Sequence, residues 1–197
     1  MATRRNPRFK ECRRLGVNVC GHQKAMNRAN DPAFKRTKKV SEYGLQLIEK
    51  QKVKAYYGIL ERQLVRYFDL ASKAEGKTGA ALLSILECRL DNLVYRMGLA
   101  NSIRMARQMV THKHILVDGK KINIPSFSVK VGSTISLDEK SRKNEQFKQC
   151  FQNANLQPLD YLQRDDANFS AKLVSYPQRE NIPVQINEQM VVEYYSK

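Results

Sequence analysis

Between Arg89 and Leu137 the spacing of apolar residues changes period. Leu90, Leu93, Val94 and Met97 recur at i, i+3, i+4 and i+7, which lines one face of a helix, and Gly98 stands where a left-handed helix end needs it. Ser102 is suited to capping a second helix, with Ile103, Ala106, Met109 and Val110 inward and Arg104, Arg107, Gln108 and Thr111 on the other side. The period then falls to two. Ile115-Leu116-Val117 and the run Ile122-Asn123-Ile124 flank Asp118-Gly119, the residue pair of a tight hairpin. Two short helices and a twisted sheet around one small core are predicted.

Upstream, Ser41 can cap a strongly helical stretch from Tyr43 to about Ser72. Leu45, Ile48, Val53, Tyr57, Leu60, Leu64 and Phe68 take its inner positions, and Gly58 marks a bend or break. Lys50, Lys52, Lys54, Arg62 and Arg66 are left for the outside. Thr78 can cap a shorter helix holding Leu82, Leu83, Ile85 and Leu86. Downstream, a mixed-charge helix is expected from Asp138 through about Asn153, with Phe147 and Phe151 on one side. Residues 154–187 read as irregular, punctuated by Pro158, Pro177 and Pro183, with strands at Leu173-Val174 and Val184-Gln185-Ile186. Asn187 can cap a last helix carrying Met190, Val191 and Tyr194.

Composition adds a partner. The 197 residues, 42% of them apolar, suit one or two small domains. Lys and Arg number 35 against 19 Asp and Glu, a formal net charge of +16, and such an excess calls for a large polyanion. The excess lies towards the N-terminus: residues 1–80 hold 19 basic and 7 acidic side chains, residues 81–137 hold 8 and 3, and the remainder 8 and 9. A membrane surface is the competing polyanion. No apolar run nears the roughly 18 residues of a spanning helix, and neither a signal-peptide nor a lipidation pattern is present, so a soluble cytosolic or organelle-interior protein is expected. Residues 1–40 are basic and poor in apolar side chains, so a loosely ordered arm that settles on its counter-charge is expected there.

Candidate catalytic chemistry is thin. Three histidines, no glycine-rich phosphate loop, no nucleophile motif and no dense carboxylate cluster argue against an enzyme. Asp91, within Arg-Leu-Asp-Asn, suits orienting arginines through ion pairs better than proton transfer. His112 and His114 suit phosphate donation or corner packing. Tyr56, Tyr57 and Tyr67 sit among basic residues, but tyrosines at helical spacing more often pack than stack on bases. Cys12, Cys20 and His22 fall short of a structural zinc site, which needs four ligands in close pairs. Here the spacing is C-x₇-C, and Cys88 and Cys150 are far along the chain. No cofactor or metal is expected, and the thiols are expected to be free.

The stretch RLDNLVYRMGLANS, with ARQMVTHKHILVDGKKINIPS after it, resembles the RNA-binding domain named after bacterial small-subunit ribosomal protein four. That domain also occurs in some tRNA synthetases, pseudouridine synthases and a heat-shock protein. The preceding SEYGLQLIEKQKVKAYYGILERQLVRYFDLASKAEGKTGAALLSILECRLDN is similar to the helical domain of the ribosomal protein itself, and the terminal NEQMVVEYYSK resembles that family's ending. The resemblance is close from Ser41 to about Ser141. Before Ser41 it is loose, apart from Cys12-Arg13-Arg14-Leu15-Gly16 and the basic character. Some family members carry a four-cysteine zinc site there, which this sequence lacks. Met105 stands where the family usually has a Glu that would complete a capping box with Ser102.

The resemblance implies an α+β fold: a mainly helical N-terminal domain completed by the C-terminal segment, with an inserted helix-helix-sheet RNA-binding domain. The corresponding boundaries are 1–40 for the arm, 41–88 for the helical domain (completed by about 170–197), 89–153 for the inserted domain and 154–197 for the returning segment. It further implies a structural constituent of the small ribosomal subunit. Such a protein binds small-subunit rRNA early, nucleates assembly of the rRNA's 5′ domain, and lies near ribosomal proteins five and three where mRNA enters. A free RNA-binding regulator, including one acting on its own mRNA, is the alternative. The RNA-binding residues expected are Arg4, Arg5, Arg13 and Arg14 in the arm, with Arg36, Lys38 and Lys39 towards mRNA. The helical domain adds Lys50, Lys52, Lys54, Arg62 and Arg66. The inserted domain adds Arg89, Asn92, Arg104, Arg107, Gln108, His112, Lys113, Lys120 and Lys121.

Overall fold

The computed structural model describes residues 6–28, 40–154 and 158–196. The chain divides into two compact units, one formed by residues 1–82 and 184–197 and the other by residues 83–183. The second unit is therefore an insertion in the first along the chain, and the whole is an α+β fold.

In the first unit, helix α1 (Arg8–Leu15) ends at Gly16 and is followed by a 3-10 turn at Gln23–Met26. Cys12, Leu15 and Ala25 are buried, so residues 6–28 hold more local structure than the basic arm expected for residues 1–40. Helix α2 (Glu42–Tyr56) starts at Ser41, whose hydroxyl accepts the Gly44 N–H at 3.3 Å. Helix α3 (Glu61–Ser72) follows a break at Gly58, whose φ of +60° lies in the left-handed region that a residue without Cβ enters freely. Val53, Tyr57 and Leu64 are buried as predicted, whereas Leu45 is 42% exposed. Helix α4 (Thr78–Glu87) begins in this unit and runs past its boundary.

The C-terminal helix α8 (Glu188–Tyr195) is capped by Asn187, whose side chain accepts the Met190 N–H at 3.3 Å. It packs on α2. Gln46 Nε2 donates to Glu193 Oε2 at 3.0 Å, the Asn187 N–H donates to Glu49 Oε2 at 2.9 Å, and the Tyr195 hydroxyl donates to Glu61 Oε1 at 2.9 Å. The helical unit is thus closed by the end of the chain.

In the second unit, α5 (Leu90–Arg96) and α6 (Ile103–Thr111) lead into a five-stranded antiparallel sheet of β1 (Ile115–Val117), β2 (Lys120–Lys121), β3 (Thr134–Leu137), β4 (Leu162–Asp165) and β5 (Ser170–Leu173), in the order β2-β1-β3-β5-β4. Asp118 and Gly119 both take positive φ, +48° and +76°, which matches the hairpin's turn to the right-handed twist of its strands. The second arm of that hairpin is Lys120–Lys121, and Ile124 lies beyond it, 47% exposed. Leu90, Leu93, Val94, Met97, Ala106, Met109, Val110, Ile115, Ile135 and Leu137 meet in one core with Phe151 and Leu173. Each wholly buried side chain of leucine size contributes about 1.5–3 kcal/mol to it.

Three expectations are corrected here. Asp138 to Asn153 forms a 3-10 turn at Ser141–Lys143 and a separate helix α7 (Glu145–Gln152), because Asn144 caps α7 by accepting the Gln146 N–H at 2.9 Å. Residues 162–173 join the sheet beside β3, so the second unit extends to Pro183 and does not end near Asn153. Strand β5 stops at Leu173, and Val184-Gln185-Ile186 forms no strand, although Ile182, Val184 and Ile186 alternate inward.

Candidate nucleic-acid interface

The stretch Glu87 to Arg107 is organised by two wholly buried carboxylates. Asp91, 0% exposed, accepts from Arg89 through Nε at 3.0 Å and Nη2 at 2.8 Å, and from Arg107 through Nε at 3.1 Å and Nη2 at 2.6 Å. Glu87, also 0% exposed, accepts from Asn92 Nδ2 at 2.6 Å, from Arg96 Nη2 at 2.7 Å and Nε at 3.1 Å, and from the Tyr161 hydroxyl at 3.2 Å. Burial, reinforced by the Glu87 charge, pushes the Tyr161 phenol far above its ordinary range, so it stays a donor. Ionised groups removed from water need partners of opposite charge with good geometry, and these arginines supply them.

Arg89 and Asn92 were expected on the RNA surface, and the structure places them inside, each 2% exposed. Their polar ends face Asp91 and Glu87 because those carboxylates have no water to turn to. Arg107 is intermediate: its guanidinium holds Asp91 while 16% of its side chain remains exposed. Glu87 is the member of this framework that spacing alone did not mark. Its signal is the combination of Asn92 at +5 and Arg96 at +9.

The outward residues of α6 are Arg104, Gln108 and Thr111, followed by His112 and Lys113, all exposed. The Ser102 hydroxyl caps the helix by accepting the Met105 N–H at 3.3 Å, so Met105 leaves the hydroxyl half of a capping box intact. At the other end, the Lys113 N–H donates to Val110 O and the His114 N–H donates to Met109 O, both at 3.0 Å. This is a Schellman ending with lysine at the left-handed position, φ +62°, where glycine is usual.

The same corner continues into the sheet. The Asp138 N–H donates to His114 O at 2.8 Å, and Lys121 Nζ lies 3.1 Å from Asp138 Oδ1. His114 packs edge-on to Phe147 and shares a 2.7 Å hydrogen bond with Ser141, and its pKa is lowered, first by burial and then by the charge of His112. His112 lies beside it, ring centroids 6.2 Å apart. Lys120 is exposed at the hairpin turn. Arg104, Gln108, His112, Lys113, Lys120 and Lys121 therefore remain the outward set of this unit.

In the helical unit, Arg62 and Arg66 stand exposed one turn apart on α3, and Arg14 is exposed on α1. Arg13 is partly buried, with Nε donating to Phe9 O at 3.3 Å. Lys50, Lys52 and Lys54, expected outside, are largely turned to carboxylates. Lys50 and Lys54 reach Glu61 at 3.0 and 2.8 Å, and Lys52 reaches Glu49 at 2.6 Å. Lys50 is itself buried and lies 4.1 Å above the Tyr194 ring. Tyr57 is a core residue. Arg4, Arg5, Arg36, Lys38 and Lys39 lie outside the described residues. Among the described residues, no group of three or more His, Cys, Asp or Glu is placed to hold a metal ion, and no helix is long and apolar enough to cross a membrane.

A helical unit interrupted by a helix-helix-sheet insertion, with cations and amides outward on the second short helix, defines a class of RNA-binding protein. Residues 3–87 match the family described as ribosomal protein S4/S9 N-terminal domain, and residues 88–135 match the S4 domain. The chain is 49% identical to small ribosomal subunit protein uS4 of Finegoldia magna. It is 45% identical both to uS4B of Clostridium acetobutylicum and to uS4 of Geobacillus thermodenitrificans. Each of these comparisons covers 100% of both chains. The chain belongs to the small ribosomal subunit protein uS4 family.

Proposed function

We propose that this protein is a structural constituent of the small ribosomal subunit that binds its rRNA directly and performs no catalysis. The observation that carries this reading is the match to uS4 proteins along the whole chain, helical unit and insertion together. The outward set on α6 and the hairpin, with Arg14, Arg62 and Arg66, supplies phosphate ligands from several elements. Folded rRNA that presents several phosphates at once to the cations of a unit is selected by shape.

At finer grain, the protein binds early to a helical junction in the rRNA's 5′ domain and nucleates its assembly. It sits beside ribosomal proteins five and three, with Arg36, Lys38 and Lys39 towards mRNA. No metal or cofactor takes part. The test is equilibrium binding of the full chain to naked small-subunit rRNA and to a scrambled transcript of equal length, with footprinting of the former. A protected junction and a marked preference for native rRNA are expected. With about six to ten phosphates neutralised, log K against log salt falls with a slope of about −5 to −9. Equal affinity for both transcripts, or a slope near −2, overturns the reading.

A further inference from the structure

We propose that Cys12 and Cys20 form a redox-active dithiol that closes reversibly into an intramolecular disulfide by exchange with low-molecular-weight disulfides. The two sulfurs are 3.5 Å apart, and both are directed at Asn18 Oδ1, at 4.0 Å from Cys12 and 3.5 Å from Cys20. Both thiols are free, as are Cys88 and Cys150. Bond formation needs the sulfurs to close by about 1.5 Å, within the reach of side-chain rotation on a short loop. That loop contains Gly16, and Gly21 follows it directly after Cys20, both at positive φ.

The pair is asymmetric in a useful way. Cys12 is 0% exposed, at the inner face of α1, whereas Cys20 is partly exposed in the loop that follows. A small disulfide therefore meets Cys20 first. The Cys20 thiolate attacks one of its sulfurs, a mixed disulfide forms, and one thiol leaves. Cys12 then gives up its proton to solvent, its thiolate attacks Cys20 Sγ, and the second small thiol leaves with a proton. In balance, two cysteine thiols and one small disulfide become one protein disulfide and two small thiols. Burial raises the Cys12 pKa, so a smaller fraction of it is thiolate, the attacking form, at a given pH. Closure staples α1 to its loop across Arg13 and Arg14.

The full-length reduced protein is equilibrated in glutathione buffers of graded oxidised fraction, quenched with acid, alkylated after denaturation and mapped by mass spectrometry. The expected result is a Cys12–Cys20 linked peptide, lighter by two hydrogens, that rises with the oxidised fraction and disappears on return to the reduced buffer. Cys88 and Cys150 remain alkylatable. In Cys12→Ser, Cys20 is expected to accumulate as the glutathione mixed disulfide. Should that variant fail to fold, Cys20→Ser serves instead, with Cys12 staying reduced and unmodified. Separate alkylation of Cys12 and Cys20 in fully oxidised buffer overturns the proposal, as does linkage of either to Cys88 or Cys150.

Discussion

Replacing Asp91 by Asn tests whether the insertion is held by its buried charges. The change is nearly isosteric, so no cavity forms and the cost is electrostatic. Breaking a buried ion pair costs about 3–5 kcal/mol, because the surviving charge stays inside without its counter-charge. Here the survivor is Arg89, 2% exposed. The asparagine carbonyl still accepts one of the hydrogen bonds made by Arg89 and Arg107 to Asp91, which recovers about 1.5 kcal/mol at most. The net expected loss is about 2–4 kcal/mol.

For a unit of the size of residues 83–183, each kcal/mol moves the midpoint by about 4–8 °C, so the transition of that unit falls by about 10–30 °C. Thermal and urea unfolding followed by far-UV circular dichroism measure it. Arg107→Ala provides the internal scale. Its guanidinium is partly solvated and leaves Asp91 with Arg89, so a smaller loss of about 1–2 kcal/mol is expected, accompanied by weaker rRNA binding. A midpoint shift under about 3 °C in Asp91→Asn would show that solvent reaches this carboxylate, and the assignment of a buried framework would fall.

Three further outcomes follow from single positions. Lys113→Gly relieves a positive φ, so a gain of about 1 kcal/mol in stability is expected together with a salt slope shallower by about 0.7–0.9; stability and binding moving in the same direction contradicts the assignment. Gly79→Ala places a Cβ 2.8 Å from Glu188 Cγ and 2.9 Å from its Cβ, at the start of α8, and is expected to destabilise the helical unit by about 1–3 kcal/mol, with an unchanged melting point as the contrary result. Burial acts to raise the pKa of Glu61, but hydrogen bonds from Lys54, Lys50 and Tyr195 outweigh it and hold the carboxyl at about 2. Because that lies below the ordinary 4.5, its stabilisation is present above about 4.5 and is lost as pH falls towards 2. The side chain is 41% exposed, so screening limits the effect to about 1 kcal/mol, and Glu61→Gln should flatten the acid limb of a pH-stability curve in that window.

The sequence made the local elements readable because their signals are local. Ser41, Ser102 and Asn187 each accept the backbone N–H that their capping chemistry requires, and the residues that spacing assigned to the inward faces of α5 and α6 are buried except Ile103, which is only partly so. What periodicity left out is where a charge finds its partner. Lys50 and Lys54 look solvent-bound in a window of helix α2, yet Glu61 lies beyond the Gly58 break and takes both. Arg89 carries the same charge as Arg104, and only the position of Asp91 turns one inward. The strand at Leu162–Asp165 is short and polar at its last three positions, so its pairing with Ser170–Leu173 depends on β3 as a template and leaves little trace in spacing.

The distribution of carboxylates explains how a basic surface and a buried ionic core support one another. Residues 81–137 contain three acidic side chains, Glu87, Asp91 and Asp118. The first two are wholly buried against Arg89, Arg96, Arg107, Asn92 and Tyr161, and Asp118 Oδ1 accepts the Thr134 N–H at 2.8 Å in the hairpin. Two of these three anions are thereby withdrawn from solvent while Asp118 stays exposed in the hairpin near Lys120, so a phosphate approaching α6 meets Arg104, Gln108, His112 and Lys113 with no exposed carboxylate on α5 or α6. A buried pair is weak evidence for net stability when compared with apolar residues of the same volume, but it fixes geometry. Through Asp91 it ties the first turn of α5 to the middle of α6, and the spacing of the outward row is set before RNA arrives. Apolar replacement of Arg89, Asp91 and Arg107 together is therefore expected to leave the unit folded while weakening its discrimination between native and scrambled rRNA, since order in the row, more than stability, is what the charges supply.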